Sequence, residues 1–313
     1  MIATETKRHI NVQNFTYQAA LAASEKINWR VEDLIGPDRQ LDFNLSFMPE
    51  KLARVEPLAF LSPAERRALN QIRGNAYLCI FGLVEEFILP FVVDHVRLDL
   101  GSDDYRTRAF LVFAGEEAKH IQLFKHFRTE FEQGFGTQCN VIGPPAAIAK
   151  AVLAHPPLAV ALVILQIEWM TQAHFVESIK DSRELDLQFK SLLRYHWFEE
   201  SQHAKLDTLM LETIAQSSSD ADIKEGIQGY AAIGELIDGG LQQQVEFDLD
   251  SFERATGRKL DENERKQFID VQLQANRWTY LGSGMSHPNF LTSIDRLQPG
   301  AADSIRQMIP MFS

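Results

Sequence analysis

A repeated pattern of acidic residues and histidine places the strongest constraint on how this chain can fold. The segment GEEAKH ends at His120, the segment FEESQH ends at His203, and both read Glu-Glu-x-x-His. The offset from Glu117 to Glu200 equals the offset from His120 to His203 (200 − 117 = 203 − 120 = 83). Residues three positions apart on an α-helix share one face. The repeat therefore predicts two helices that each present a carboxylate and an imidazole together.

Each Glu-x-x-His is preceded by a lone glutamate at the same interval. Glu85, in GLVEEF, and Glu168, in LQIEWM, are related by the same offset (168 − 85 = 83). The distance along the chain from each of them to its Glu-x-x-His is also the same (117 − 85 = 200 − 168 = 32). The neighbouring Glu86 corresponds to Trp169, which cannot bind a metal. The repeat thus favours Glu85 over Glu86 as the functional glutamate of its helix.

Four glutamates and two histidines in this order meet the ligand requirement of a carboxylate-bridged dinuclear metal site. In such sites, one Glu comes from each of two helices and one Glu-x-x-His from each of the other two. Four carboxylates balance the charge of two divalent ions, and imidazole suits iron and manganese. The pattern predicts two iron ions as the cofactor, with manganese or a mixed Mn/Fe pair as alternatives.

Composition narrows the class of protein. The chain has 313 residues, of which 45% are hydrophobic and 24% charged, and its formal net charge is −12. These proportions are ordinary for a soluble globular protein, and the acidic balance disfavours nucleic-acid binding, which uses a basic surface. Cys79 and Cys139 form no CxxC pattern, which disfavours a thiolate metal site and a disulfide framework.

The sequence predicts neither export nor membrane insertion. The start, MIATETKRHINVQNF, lacks the apolar core of a signal peptide. The most apolar run, PPLAVALVILQI, is too short to span a bilayer and is followed by Glu168. We therefore expect a cytoplasmic protein with no membrane partner.

Caps and breakers predict long helices, and no segment shows a convincing strand alternation. Ser62-Pro63-Ala64-Glu65 is typical of a helix start, and we expect this helix to reach about Arg97 with a kink at Pro90. Further helices are predicted over about 14–27, 103–133, 157–180, 184–215, 221–249 and 261–282, with a loop over 134–145 and an irregular tail. The predicted class is all-α, with one domain over 1–313: a core bundle at about 66–215, an N-terminal extension at 1–60 and C-terminal helices at about 221–313.

One histidine breaks the repeat. His196 corresponds to Phe113 (196 − 83 = 113), so the second half reads HxxxExxH where the first reads only ExxH. His196 lies one turn before Glu200, on the same helix face. We predict that it is an added metal ligand; a core histidine bonded to a backbone carbonyl, or a residue supporting a ligand, is the alternative.

The resulting order of residues resembles the p-aminobenzoate N-oxygenase family of diiron arylamine oxygenases. The resemblance covers about 66–215 and implies a ferritin-like four-helix bundle whose diiron centre uses dioxygen to oxidise an aromatic amine. The ligand set that it implies is Glu85, Glu117, His120, Glu168, His196, Glu200 and His203.

Other acidic residues near the motifs have weaker claims as ligands. Glu116 and Glu199 lie about 100° from the ligand face, so we expect them to be structural acids or to support a ligand. Asp207, one turn after His203, is predicted either to hold a ligand histidine by its second ring nitrogen or to be a solvated acid.

Several histidines and tyrosines are expected to lie outside the metal site. His126, His174 and Glu177 fall off the ligand face by their spacing. Tyr77, Tyr105 and Tyr195 are predicted to be core residues rather than a radical site.

These features predict an O2-dependent oxygenase that acts on a small organic substrate, with an arylamine as the substrate that the resemblance implies. Another diiron oxidase or hydroxylase is one alternative, and a ferritin-like iron-binding protein is a second. The long segments outside the bundle, at 1–60 and about 221–313, favour an enzyme over a storage protein. An electron donor is expected as a partner, and a homodimer is an open alternative to a monomer.

Overall fold

The computed structural model describes residues 9–36, 39–98, 100–101 and 104–312, which form helices and no strand beyond two isolated bridges. Two π-helical segments, Phe175–Ile179 and Trp278–Gly282, and a 3₁₀ segment, Ile309–Phe312, extend helices in this part of the chain. The α-helices of the described residues are α1 (Tyr17–Ser24), α2 (Val31–Leu34), α3 (Glu50–Ala53), α4 (Pro63–Val96), α5 (Asp104–Phe135), α6 (Pro145–Leu153), α7 (Pro157–His174), α8 (Leu187–Gln216), α9 (Asp220–Thr256), α10 (Glu262–Arg277), α11 (Ser283–Met285), α12 (Pro288–Leu297) and α13 (Ala301–Met308).

Helix α4 begins where its cap residues predict. Ser62 Oγ accepts from the Glu65 amide at 3.3 Å, and Glu65 Oε2 accepts from the Ser62 amide at 2.7 Å. This reciprocal capping box satisfies two amides that a helix start leaves free. The helix continues through Pro90 to Val96.

Two helix pairs form the core, as the repeat predicts. α4 packs on α5, and α7 packs on α8, with α5 also contacting α8. The fold is therefore all-α. Its four-helix core is ferritin-like, because a glutamate from each of α4 and α7 and a Glu-x-x-His from each of α5 and α8 are buried in it. The division of the chain into a single domain stays a prediction.

The C-terminal helix α9 lies close against the core. It packs on both α7 and α4. A Cβ added at Gly229 would lie 2.8 Å from Ala159 Cβ, and one added at Gly226 would collide with the Leu158 side chain. Glycine at these positions therefore permits the close approach of α9 to the start of α7.

Two regions are more helical than the sequence predicts. α6 lies within the expected loop, where Pro145 occupies its first helical position after Pro144. The tail contains α12, whose N-cap is His287, with the Asn289 amide 3.2 Å from its Nδ1. Histidine is not among the preferred N-caps, which explains why the start of α12 was not predicted. Asp103, the predicted start of α5, lies outside the described residues.

Two of the core helices are long and apolar enough to cross a membrane. They are Pro63–Val96 and Pro157–Ile179, whose most apolar 18-residue stretches have mean hydropathies of 2.0 and 1.3. Their most apolar stretches are 56% and 83% buried within the protein. Core helices of soluble bundles have the same length and composition, so this property alone does not place them in a bilayer.

Candidate metal centre

The four core helices bring the seven predicted ligands into one buried region. α4 supplies one of them, α5 two, α7 one and α8 three. Each of these residues is between 0% and 2% exposed, so none is a solvated surface group. The seven residues are Glu85, Glu117, His120, Glu168, His196, Glu200 and His203.

Six of these residues form two overlapping groups whose donor atoms lie within 4.8 Å of one another. His120 and Glu200 belong to both groups. The first group is Glu85, His120, His196 and Glu200, and the second is Glu117, His120, Glu200 and His203. Glu168 is outside both groups but adjoins them, because its carboxyl group contacts that of Glu200.

Glu200 spans the two groups with its two oxygens. Oε1 lies 2.7 Å from His196 Nε2 and 3.2 Å from His120 Nδ1, whereas Oε2 lies 3.3 Å from His203 Nδ1. Glu85 Oε1 lies 3.1 Å from His196 Nε2. Glu200 therefore presents one oxygen to His196 and His120 and the other to His203.

The donor atoms of this region suit metal ions rather than one another. Both oxygens of Glu117, Oε2 of Glu85 and Glu168, and Nδ1 of His120 and His203 are buried without a hydrogen-bond partner. Both Nδ1 atoms do lie close to carboxylate oxygens, but none of these contacts has hydrogen-bond geometry: His203 Nδ1 is 2.9 Å from Glu117 Oε1 and 3.3 Å from Glu200 Oε2, and His120 Nδ1 is 3.2 Å from Glu200 Oε1. A buried polar atom left without a partner costs about 1–3 kcal/mol, and carboxylate oxygen with imidazole nitrogen is a donor set for iron or manganese. The region therefore fits a pair of such ions.

The histidine of each motif is held by the first glutamate of the other motif. His120 Nε2 lies 2.8 Å from Glu199 Oε2, and His203 Nε2 lies 2.9 Å from Glu116 Oε2. Each Nε2–H donates outward, so the lone pair of each Nδ1 faces the metal centre. The two supporting acids are themselves related by the offset of the repeat (199 − 116 = 83), a signal that the sequence contains.

Asp207 does not hold a histidine. It is fully buried, neither of its oxygens has a hydrogen-bond partner, and Glu116 occupies the position beside His203 Nε2. Burial raises the pKa of Asp207 well above its ordinary value. Both expectations for this residue, a histidine-holding acid or a solvated acid, are therefore wrong.

His196 lies in an aromatic surround on the side of Glu85. The ring centroids of Phe81 and Phe124 are 5.5 Å and 5.1 Å from that of His196, and both meet it edge-on. In the first half of the repeat, Phe113 instead stacks on His203 at 3.9 Å. The imidazole of His196 is directed at two carboxylates, and its ligation of a metal stays a prediction.

The two neighbouring glutamates of α4 face different ways. Glu85 is 2% exposed and belongs to the first group, whereas the Glu86 side chain is 31% exposed and lies 3.6 Å from Lys125 Nζ. The structure places Glu85 inward, in the direction that the repeat indicates, and ligation by Glu85 stays a prediction.

Burial and charge act together on the carboxyl groups. Burial, with Glu85 and Glu200 nearby, raises the pKa of Glu117 to about 7, and burial raises that of Glu168 well above its ordinary value. Burial also opposes ionisation of Glu200, but His196 and His203 outweigh it and hold its pKa well below the ordinary value. Bound cations would balance the negative charge of these carboxyl groups in a region closed to water.

A tryptophan from the N-terminal extension covers the centre, and no sequence pattern indicated it. Trp29, between α1 and α2, stacks on His120 with ring centroids 6.0 Å apart and an interplanar angle of 10°. Lys119 Nζ lies 3.9 Å from the centroid of the Trp29 ring and pairs with Glu199. The extension thus shields His120 from solvent.

The histidines expected off the ligand face belong to neither group of described residues. His174 contacts Tyr77 and Ser283, and His126 is exposed. Glu177 pairs with Lys51 at 2.8 Å.

The three tyrosines differ in burial. Tyr77 is 3% exposed, Tyr195 is half-buried and Tyr105 is 45% exposed. Only Tyr77 among them is a fully buried core residue, and Tyr105 departs from the expected core position.

Comparison with known proteins gives a distant structural likeness. No family description matches the chain, and no curated protein matches it. The chain is similar to a variant of an R2-like ligand-binding oxidase with an aerobically reconstituted Fe/Fe cofactor, at 12% identity and a TM-score of 0.44, over 86% of this chain and 94% of that chain. A second variant, with an aerobically reconstituted Mn/Fe cofactor, gives 12% identity and a TM-score of 0.45 over the same shares. The assignment of the metal centre rests on the side chains of this chain.

Proposed function

We propose that the protein is an O2-dependent oxidase or oxygenase that uses two iron ions, or an Mn/Fe pair, to oxidise a small organic substrate. The observation that supports this most is the buried pair of overlapping groups, in which His196 is a third imidazole beside three carboxylates. Glu168, a fourth buried carboxyl group, adjoins them. A site that only holds two ions needs no such addition, because six ligands already suffice.

The side chains of the centre have separable tasks in this proposal. Two such ions, when bound, supply the electrons that activate dioxygen. Glu199 and Glu116 hold the two Glu-x-x-His imidazoles with Nδ1 inward. Phe81, Phe113 and Trp29 keep water away from the histidines, which strengthens electrostatic interactions inside the site.

N-oxygenation of an arylamine is the specific reaction that we propose, because the order Glu, ExxH, Glu, HxxxExxH resembles that of the arylamine oxygenases. In this reaction, an amine, dioxygen, two electrons and two protons give a hydroxylamine and water. The two electrons come from an external donor, so a reductant is part of the proposal. A cytoplasmic location, with no membrane partner, is proposed with it.

The test combines metal content with oxygen consumption. Purified protein loaded with iron should contain about two metal ions per chain and should consume dioxygen when given a reductant and an amine from a panel of uncharged arylamines. His196→Phe, which copies Phe113 of the other half, should keep most of the metal but lower substrate oxidation at least about tenfold, roughly 1.4 kcal/mol in barrier.

A matched control separates this effect from general damage. His126→Phe makes the same substitution at an exposed position of α5 outside both groups and should leave oxidation unchanged. Full oxidation by the His196 variant would contradict the role given to this imidazole. Iron uptake without substrate oxidation in the wild-type protein would instead favour an iron-binding protein.

A further inference from the structure

A largely apolar cavity of about 450 Å³ lies between α4, α6, α7 and α9. Its volume falls within the range of about 300–1,000 Å³ that is usual for small-molecule sites. The walls are formed mainly by aliphatic and aromatic side chains, including Ile80, Phe87, Ile148, Val152, Ile167 and Met170. Such a lining favours a ligand that buries apolar surface.

The lining includes one largely buried residue with a polar side chain. Tyr280 is 6% exposed, and its hydroxyl makes no hydrogen bond to the described residues. A tyrosine in a largely buried position usually has a hydrogen-bond partner for its hydroxyl, and a molecule in the cavity would supply one here. Burial raises the pKa of Tyr280, so the phenol stays protonated and donates.

The ring of Phe81 borders both the cavity and the metal centre. Phe81 lines the cavity, and its ring centroid is 5.5 Å from that of His196. It is also one helical turn before Glu85 on the same face of α4. A molecule in the cavity therefore lies directly behind the wall of the proposed reaction site.

The charges around the cavity disfavour an anionic ligand. Apart from Tyr280, the ionisable residue in its lining is Glu235, which is exposed on α9. An adjoining cavity, which shares Leu83, Ile142 and Gly143 with this one, has basic residues in its lining instead, Lys125 and Arg128, together with Glu86. No cation is part of the lining of the apolar cavity, and Arg73, whose charge acts on Tyr280, is already paired with Asp248 at 3.6 Å. Transferring a carboxylate or phosphate from water without a partner is costly.

We infer that this cavity is the substrate pocket, that it takes an uncharged and mainly apolar organic molecule with one hydrogen-bond acceptor, and that Tyr280 orients this molecule by donating to the acceptor. The inference rests on the proposed function, since it identifies the substrate class of the same site. Phe81 then sets how closely the substrate approaches the metal centre. An uncharged arylamine with a polar substituent fits this description, and an aminobenzoate anion does not.

The test measures binding of three probes of similar size to the purified, metal-loaded protein by calorimetry. Acetylnaphthalene is neutral with an acceptor, ethylnaphthalene is neutral without one, and naphthoate is anionic. We expect acetylnaphthalene to bind most tightly and naphthoate at least about tenfold more weakly. Tyr280→Phe should weaken binding of acetylnaphthalene about tenfold, or about 1.4 kcal/mol, and binding of ethylnaphthalene by less than about twofold, because only acetylnaphthalene loses a hydrogen bond.

A pair of glycine variants shows where the probe binds. Gly239 lines the cavity and Gly234 does not, although both are on α9 and a Cβ at either meets nothing within 4 Å. Gly239→Phe should block the cavity and abolish binding of both neutral probes. Gly234→Phe should leave the binding of both probes unchanged. Circular dichroism and metal content confirm that both variants fold.

The outcomes separate this inference from the proposed function. Unchanged binding in Gly239→Phe, an equal effect of Tyr280→Phe on both neutral probes, or tighter binding of naphthoate would overturn the pocket assignment, even if the protein consumes dioxygen. Probe binding with the expected pattern in a protein that takes up no metal would leave the pocket in place and overturn the proposed function.

Discussion

Glu116 and Glu199 show how single residues prepare the centre without ligating it. Each accepts from Nε2 of the histidine on the opposite helix, at 2.9 Å and 2.8 Å. This contact fixes the tautomer and turns Nδ1 toward the metal centre. The contact also ties α5 to α8 at two symmetric points.

Removing either supporting acid should weaken metal binding without removing a ligand. Because such partners typically contribute a factor of 10–100 in metal affinity, Glu199→Gln and Glu116→Gln should each raise the dissociation constant for iron by roughly that factor. Competition with a chelator measures it. Glu132→Gln, at an exposed residue of α5 paired with Arg128, is the matched control and should have no effect. Wild-type affinity in both variants would contradict the supporting role.

The adjacent glutamates of α4 give a second test at this scale. Glu85→Gln should lose much of the bound metal, because Glu85 is buried beside His196 Nε2. Glu86→Gln should retain it, because Glu86 lies toward the surface beside Lys125. Metal analysis of the two purified variants decides between them, and loss of metal from Glu86→Gln alone would mean that the repeat is shifted by one residue in α4.

The sequence predicts which face of each core helix points inward, but it does not predict the side-chain contacts between different helices. The constant interval of the repeat identifies side chains that the structure does bring together. It can do so because helical periodicity is a local property that can be read from the sequence. The partner of His203 Nε2 was not predictable in the same way, because Glu116 is on another helix while Asp207 is on its own. The stacking of Trp29 on His120 also depends on how a distant loop packs.

At the scale of elements, His174 joins three helical segments at the end of α7. Ser283 Oγ donates to the Thr279 carbonyl, so it accepts from His174 Nε2, at 2.8 Å. His174 Nδ1 must then accept from the Tyr77 hydroxyl, at 2.9 Å. The imidazole is therefore neutral in the folded protein, and burial lowers its pKa to about 3.

This bond pattern predicts a pH dependence of folding stability. The pKa of His174 is lowered in the folded state from its ordinary 6.5, so its contribution is complete above pH 6.5 and is lost as pH falls toward about 3. When the pH is lowered from 7.5 to 5.5, the unfolding free energy of the wild-type protein should fall by about 1 kcal/mol more than that of His174→Gln. Urea denaturation at the two pH values measures this difference. His126→Gln, at an exposed histidine, should lose as much as the wild type. Equal losses in the wild type and His174→Gln would show that this imidazole does not remain neutral when buried.

The elements that the sequence did not predict share a physical cause. α6 and α12 both begin with a proline that follows residues typical of turns, and such residues also precede helices. Both helices are short and depend on packing, with α6 lying on α4 and α12 on α7. Long helices such as α8 were predictable because their pattern is repeated over many turns.

For the molecule as a whole, the centre connects all four core helices through groups that are costly to bury. Its seven residues come from α4, α5, α7 and α8, and each is at most 2% exposed. Without cations, several carboxyl groups would remain close together in a region closed to water. Metal binding and the stability of the bundle should therefore be linked, as mass action requires for any ligand of the folded state.

Removing the metal should lower the melting temperature by an amount that grows with pH. In the metal-free protein, the pKa of Glu117 is raised from its ordinary 4.5 to about 7. Its contribution to folding stability is therefore complete below pH 4.5 and is lost as pH rises through 7. Glu168, His120 and His203 have raised pKa values and act in the same direction, whereas the lowered pKa of Glu200 opposes them. In the metal-bound protein, protons compete with the ions, so metal binding strengthens with pH.

The fall in stability of the metal-free protein with rising pH and the rise in metal binding with pH both widen the gap in stability between the two forms. At free metal about a thousandfold above its dissociation constant, binding contributes about 4 kcal/mol, which corresponds to a difference of at least about 5 °C between the two forms at pH 7.5. Calorimetry of iron-loaded and chelator-treated protein should show a smaller difference at pH 5.5. Chelator treatment that removes the iron without changing the melting temperature at pH 7.5 would mean that the ions do not bind among the buried acids that join the four helices.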